Sequence, residues 1–238
     1  KESKSILKIF REDVDNPYSL RGNGVYDIFC DNNRRVWVVT YSGGLSYLEW
    51  NSTLINHISH QINNSNSLGN NDVNNIIEDS KGDIWFATNN GIYRWRVATD
   101  RWDSYYKNKE NQAQVFQTLC EDDENRIWAG TYSSGFYVLD RESGRELAQY
   151  PNSQTPNLAS CKFVMNLYKD SDGDIWIGGV TNLISYSKSK KEFRVYSQQP
   201  MRSFMEFAPG KILLGCTYSL ILLDKASGHI TYLADCLA

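Results

Sequence analysis

Tryptophan recurs along this chain at a near-constant interval, each time behind a β-branched residue: Val36-Trp37, Ile84-Trp85, Ile127-Trp128 and Ile175-Trp176, with Ile212-Leu213 in the fifth place. From Trp37 to Leu213 the mean interval is 44 residues. Twelve or thirteen residues before each anchor stands Val25, Val73, Val115, Val164 or Met201, each opening a predicted strand. Asp79-Ser-Lys-Gly82, Asp122-Asp-Glu-Asn125 and Asp170-Ser-Asp-Gly173 then supply the Asp, Asn and Gly of a tight turn, with Gly or Asn available for positive φ. The anchor strand is apolar on both faces, as in Ile84-Trp-Phe-Ala-Thr88, and such a strand must be covered on both sides.

A third strand follows, as in Gly91–Trp95 or Gly135–Asp140, and then a fourth marked by two large residues three apart. These pairs are Ile55/Ile58, Trp102/Tyr105, Leu147/Tyr150, Phe193/Tyr196 and Ile230/Leu233, and each begins 17 to 19 residues after its anchor. A four-stranded unit repeating at this period is a propeller blade, which buries its faces only against neighbouring blades. The fold class is therefore all-β: a β-propeller over residues 1–238, with blades at 24–60, 73–106, 115–150, 163–197 and 201–234. Leu7 and Phe10 repeat the fourth-strand pair with no anchor before them, so residues 1–10 read as the last strand of a truncated blade. Seven such blades would need about 308 residues, and the chain has 238. The expectation is a part of a larger, seven-bladed ring, a closed five-bladed ring being the alternative. The chain opens on Lys1 without Met, as a processed protein or a piece of a longer one does. Trp37, Trp85, Trp128 and Trp176 are read as blade-to-blade packing.

Composition narrows the function. Hydrophobic residues make up 41% and charged residues 22%, with 7 Trp, 15 Tyr and 9 Phe, too aromatic for a disordered chain. The net charge is −3 and no basic run occurs, which argues against a nucleic-acid partner. No apolar run approaches the roughly 20 residues of a membrane-spanning helix, so no direct membrane contact is expected. Five cysteines without a C-x-x-C spacing indicate neither a disulfide framework nor a zinc knuckle. Cys30 and Cys120 share one repeat position and are expected to be small buried hydrophobes.

The unit from Val73 through Glu78-Asp79, Gly82, Ile84-Trp85, Thr88, Asn90-Gly91 and Ile92 to Trp102 and Tyr105 resembles the two-component-regulator propeller repeat. The lead-in segments Ser19-Leu20 to Val25 and Ser67-Leu68 to Val73 are similar to that family's, and Asn157-Leu158 to Val164 is a longer version. The resemblance implies the periplasmic sensor region of an inner-membrane hybrid two-component system of the Bacteroides type, with histidine kinase and response regulator elsewhere. It implies detection of oligosaccharides that controls glycan-utilisation genes. The implied partners are the remaining propeller blades and a β-sandwich of the same receptor, and uncapped end blades add an expectation of self-association.

Chemistry-bearing motifs are sparse, and no catalytic residue, metal or cofactor is expected. Asp170-Ser-Asp172-Gly-Asp174 starts like a calcium loop, but Thr181 stands where the closing Glu belongs. His57 and His60, three apart on an extended segment, point to opposite faces. The candidate ligand surface is the loop after each anchor strand: Tyr41, Asn89, Asn90, Tyr132, Ser133, Thr181, Asn182 and Tyr218. Tyrosine rings cover the apolar face of a sugar, while Asn and Ser bond its hydroxyls. A protein-interaction scaffold and a glycan-active propeller enzyme are the alternatives.

Overall fold

The computed structural model describes residues 9–41, 43–49, 54–106, 114–180, 182–197, 201–217 and 219–235. Among the described residues, twenty strands form five separate four-stranded antiparallel sheets, each in simple sequential order. Blade 1 comprises β1 (Val25–Cys30), β2 (Val36–Thr40), β3 (Gly44–Leu48) and β4 (Ile55–Ile58); blade 2 comprises β5 (Val73–Glu78), β6 (Ile84–Thr88), β7 (Gly91–Arg96) and β8 (Arg101–Tyr105). Blade 3 holds β9 (Phe116–Glu121), β10 (Arg126–Thr131), β11 (Phe136–Asp140) and β12 (Glu146–Tyr150). Blade 4 holds β13 (Val164–Lys169), β14 (Ile175–Gly179), β15 (Leu183–Ser187) and β16 (Glu192–Ser197), and blade 5 holds β17 (Met201–Ala208), β18 (Lys211–Cys216), β19 (Ser219–Asp224) and β20 (Ile230–Asp235). By internal contacts the chain divides into residues 1–104 and 105–238.

Within residues 1–104, Trp37 and Val39 of β2 pack on Val73, Ile76, Ile84, Phe86 and Tyr93 of blade 2, with Leu68 of the lead-in segment closing the layer. Within residues 105–238, Trp128 packs on Val164, Leu167, Ile175, Ile177 and Ile184 of blade 4, closed by Leu158. Trp176 packs in turn on Met201, Ile212, Leu214, Ile221 and Leu223 of blade 5. All four tryptophans are at most 1% exposed.

Each indole is tied down by a buried aspartate six residues earlier, the first residue of the acidic turn. Trp37, Trp85, Trp128 and Trp176 donate Nε1–H to Asp31, Asp79, Asp122 and Asp170 over 2.9, 2.8, 2.7 and 2.9 Å. The other carboxylate oxygen accepts backbone N–H groups inside the turn, such as those of Lys81 and Asp83 on Asp79. The fourth turn residue has positive φ in every case: Arg34, Gly82, Asn125 and Gly173.

A buried carboxylate needs a countercharge, and the first four blades draw it from three different places. In blades 1 and 3 the arginine two before the tryptophan serves: Arg35 Nε bonds Asp31 at 2.5 Å and Arg126 Nε bonds Asp122 at 2.6 Å. Blades 2 and 4 have aspartate there instead, Asp83 and Asp174, which accept the backbone N–H of Val97 and Lys188. In blade 2 the cation is Arg94 of β7, fully buried, 2.7 Å from Asp83, 3.6 Å from Asp79 and 5.0 Å above the Trp85 ring. In blade 4 it is Lys225, which follows β19 of blade 5 and sits 2.7, 2.8 and 2.8 Å from Asp170, Asp172 and Asp174. Although burial opposes its charge, the three carboxylates raise its pKa well above the ordinary lysine range.

Several expectations are corrected. The strand expected to open at Val115 opens at Phe116. Residues 1–8 of the expected N-terminal strand lie outside the described residues, and Ile9 and Phe10 belong to no strand; a parallel bridge joins Glu12 to Leu20 instead. Cys30 is exposed, because no described blade covers the outward face of β1, whereas Cys120 is half-buried with its thiol pushed up to about 12 by burial. Residues three apart on a strand face opposite sides, so the fourth-strand pairs are divided: Leu147 and Leu233 are exposed while Tyr150 is half-buried.

Candidate functional site

The loops after the anchor strands are held alike. The residue following the anchor strand donates its backbone N–H to the residue before the first strand: Tyr41 to Gly24 at 2.9 Å, Asn89 to Asp72 at 3.0 Å and Tyr132 to Val115 at 3.1 Å. In blades 2 and 3 a buried threonine shapes the turn, as Thr88 Oγ1 donates to the Gly91 carbonyl and Thr131 Oγ1 to that of Gly135. Tyr41, Asn89 and Tyr132 are thus one repeat position, each held by a backbone hydrogen bond to the residue before the first strand.

Tyr41 and Tyr132 are 69% and 57% exposed, so their rings are available. Each is backed by a second aromatic: Tyr26 lies 5.8 Å from Tyr41, and Phe163 lies 4.7 Å from Tyr132, both tilted. Asn89 is exposed and accepts a 3.0 Å bond from Asn74 Nδ2. Ser133, beside Tyr132, is exposed as well. Asn90 turns inward: its N–H reaches Thr88 Oγ1, its carbonyl accepts Tyr93 Oη, and its Oδ1 is enclosed without a hydrogen-bond partner among the described residues. Asn182 is buried and donates Nδ2–H to Ser160 Oγ at 2.8 Å, bracing the lead-in segment of its own blade. Thr181 and Tyr218 lie outside the described residues.

Sequence reasoning missed Tyr26 and Asn74. Both sit at a β-bulge: the register of β1 shifts between Val25 and Asp27, that of β5 between Val73 and Asn75, and the same shift recurs in β13 and β17. A bulge re-aims the extra residue, and here it brings Tyr26 to Tyr41 and Asn74 to Asn89. The neighbouring Asp27 carboxyl is half-buried, and burial raises its pKa against the bonds from Ile28 and Asn75.

The remaining polar motifs serve the fold. Lys225 Nζ occupies the centre of the calcium-like Asp170-Asp172-Asp174 loop. His57 links Ser46 Oγ to the Pro17 carbonyl, and His60 Nδ1 bonds the Leu68 carbonyl.

Sequential four-stranded sheets stacked through their tryptophan faces define a β-propeller. The family model for the two component regulator propeller matches four segments, residues 19–42, 67–90, 110–133 and 157–181, one for each of the first four blades. Comparison with curated protein sequences yields no match. Among solved structures, the extracellular domain of BT3049 from B. thetaiotaomicron, described as a hybrid two component system, aligns with TM-score 0.76 at 19% identity, over 99% of this chain and 30% of that one. The extracellular domain of BT4673 from the same organism, also described as a hybrid two component system, aligns with TM-score 0.70 at 15% identity, over 95% and 29%. U3-55K aligns as well, with TM-score 0.70 at 10% identity over 90% and 66%. The chain therefore spans less than a third of the two extracellular domains, and likeness at these identities establishes the fold alone.

Proposed function

We propose that this chain is part of the extracytoplasmic sensing module of a hybrid two-component system, that it acts without catalysis, and that it takes an oligosaccharide on the loops after its anchor strands. The observation that carries the reading is the pairing of regulator-propeller repeats with two exposed tyrosines, Tyr41 and Tyr132, at one repeat position and held by the same backbone hydrogen bond. An exposed ring backed by a second aromatic covers a sugar face at little conformational cost. The periplasm is the compartment this reading implies, and the rest of the receptor would carry the kinase.

A thermal-shift series against an oligosaccharide panel tests it, run on this chain and on a longer receptor segment containing it. At a hundredfold excess over Kd a bound ligand stabilises by about 2.7 kcal/mol, which is roughly 5–10 °C for a chain of this size. The expected result is a shift in both samples that Tyr132→Ala abolishes. A shift in the longer segment alone would assign this chain a supporting part, and none in either would favour the scaffold reading.

Self-association belongs to the same proposal. Val25, Tyr26 and Ile28 of β1, and Met205, Phe207, Leu220 and Tyr232 of blade 5, are exposed. Apolar strands left open in this way associate unless another blade covers them. Sedimentation of this chain alone is expected to show concentration-dependent oligomers, and a monomer at all concentrations would refute the expectation.

A further inference from the structure

We propose that Asn23-Gly24 is a modification site, at which the side-chain amide is lost by spontaneous deamidation, and that the identical pair Asn90-Gly91 is shielded from the same reaction by its fold. The sequence holds these two Asn-Gly pairs and no other. A glycine after asparagine leaves the following backbone amide uncrowded and free to turn. Residue type therefore gives both pairs the same reactivity, and their surroundings decide between them.

The reaction needs no partner but water. The Gly24 amide nitrogen attacks Asn23 Cγ, a cyclic imide forms, and the Cγ–Nδ2 bond breaks, Nδ2 leaving as ammonia with the amide proton. Water then adds to one of the two imide carbonyls, and the ring opens to aspartate or to isoaspartate, whose main chain runs through the side-chain carbons. Asn23 is open to this chemistry. Both residues of the pair are exposed and lie outside any strand. The Gly24 N–H has no acceptor among the described residues. The Glu12 N–H donates to Asn23 Oδ1 at 2.9 Å, which stabilises the negative charge that develops on that oxygen during attack.

At Asn90 the same atoms are locked. Its N–H donates to Thr88 Oγ1 at 3.0 Å, its carbonyl accepts Tyr93 Oη at 3.0 Å, and its Oδ1 is enclosed. Gly91 is buried and held at a φ of 94° where it pairs with Thr88 at the start of β7. Base cannot reach the Gly91 N–H, and the carboxamide cannot turn onto it, unless the hairpin opens, so reaction there waits on local unfolding. Reaction at Asn23 has a consequence for the loop already described. The Gly24 carbonyl accepts the Tyr41 N–H at 2.9 Å, so isoaspartate, which lengthens the main chain immediately before Gly24, disturbs the turn that holds Tyr41. Either product adds one negative charge to that turn.

Incubation of the folded chain in neutral and in mildly alkaline buffer, followed by peptide mapping with chromatography and mass spectrometry, tests the site. Deamidation at Asn23 is expected to run about tenfold or more faster than at Asn90, because the second waits on opening, and to speed up with pH. In the urea-unfolded chain the two pairs are expected to react at similar rates. Gly24→Ala, whose Cβ would meet Tyr41 Cβ at an ordinary 3.6 Å, is expected to slow the reaction at Asn23 severalfold, and Asn23→Gln to leave that position unmodified; the second serves if the first does not fold. The aged chain is expected to exchange the Tyr41 amide hydrogen faster than the fresh one. An intact Asn23, equal rates at the two pairs in the folded chain, or a rate unchanged by Gly24→Ala would each overturn the proposal. A difference that persists in urea would overturn the assignment of the protection to the fold, and Tyr41 exchange unaltered by ageing would overturn the effect on the loop.

Discussion

Trp176→Ala is expected to destabilise the protein by about 3–5 kcal/mol, the range for a fully buried tryptophan, which corresponds to a fall in Tm of roughly 6–20 °C at this chain length. The loss should be local before it is global. Trp176 is the large side chain of blade 4 packed on Met201, Ile212, Leu214, Ile221 and Leu223, so amides of β17–β20 should exchange with solvent hydrogen well ahead of those in β9–β12. Leu213, the same repeat position one blade later, provides the control. It is half-buried, with no described blade over its face, and Leu213→Ala should cost no more than about 1–2 kcal/mol. Equal effects of the two substitutions, read by thermal melts and by exchange, would contradict the assignment of the anchor position to inter-blade packing.

Asp170→Ala is expected to cost about as much, roughly 3–5 kcal/mol, because it strips a buried ion pair of one partner. It leaves the Trp176 Nε1–H, the turn N–H groups of Asp172 and Asp174, and one of three contacts of Lys225 without their acceptor. Lys225→Met should be harmful too, yet the double variant should be less harmful than the sum of the two, since removing both partners takes out the Asp170–Lys225 interaction once and leaves only Asp174, among the buried carboxylates, without its cation. The sign of the pH dependence follows from the raised pKa of Lys225. Its contribution is complete below the unfolded lysine pKa of about 10.4 and disappears as pH rises through the higher folded value. The coupling measured by the double-mutant cycle should therefore be constant between pH 6 and 9 and decline only in strong alkali.

What was legible in the sequence was whatever repeats locally. The anchors, the first-strand openings at Val25, Val73, Val164 and Met201, the acidic turns and the loops bearing Tyr41, Asn89 and Tyr132 each follow from a period of 44 residues and a pattern a few residues long. The six-residue step from Asp31, Asp79, Asp122 and Asp170 to the tryptophans was present in the same alignment, and hydrogen-bond need of a buried indole would have assigned it. Arg94 and Lys225 were not legible, because each occupies a position at which the other repeats carry something else, and only strand register brings it to its aspartate. Tyr26 and Asn74 were hidden for a related reason: a bulge alters which way a strand residue points without altering its spacing.

The scattered sources of countercharge bear on how such a chain can be rearranged by duplication and recombination. Blades 1, 2 and 3 each neutralise their turn aspartate from within, through Arg35, Arg94 and Arg126. A gene segment encoding any one of them is electrically portable. Blade 4 is not, because its neutralising ammonium is encoded some fifty residues downstream, at Lys225. A crossover falling between the fourth and fifth repeats would separate a buried anion from its cation, so those two repeats are expected to be inherited as a pair.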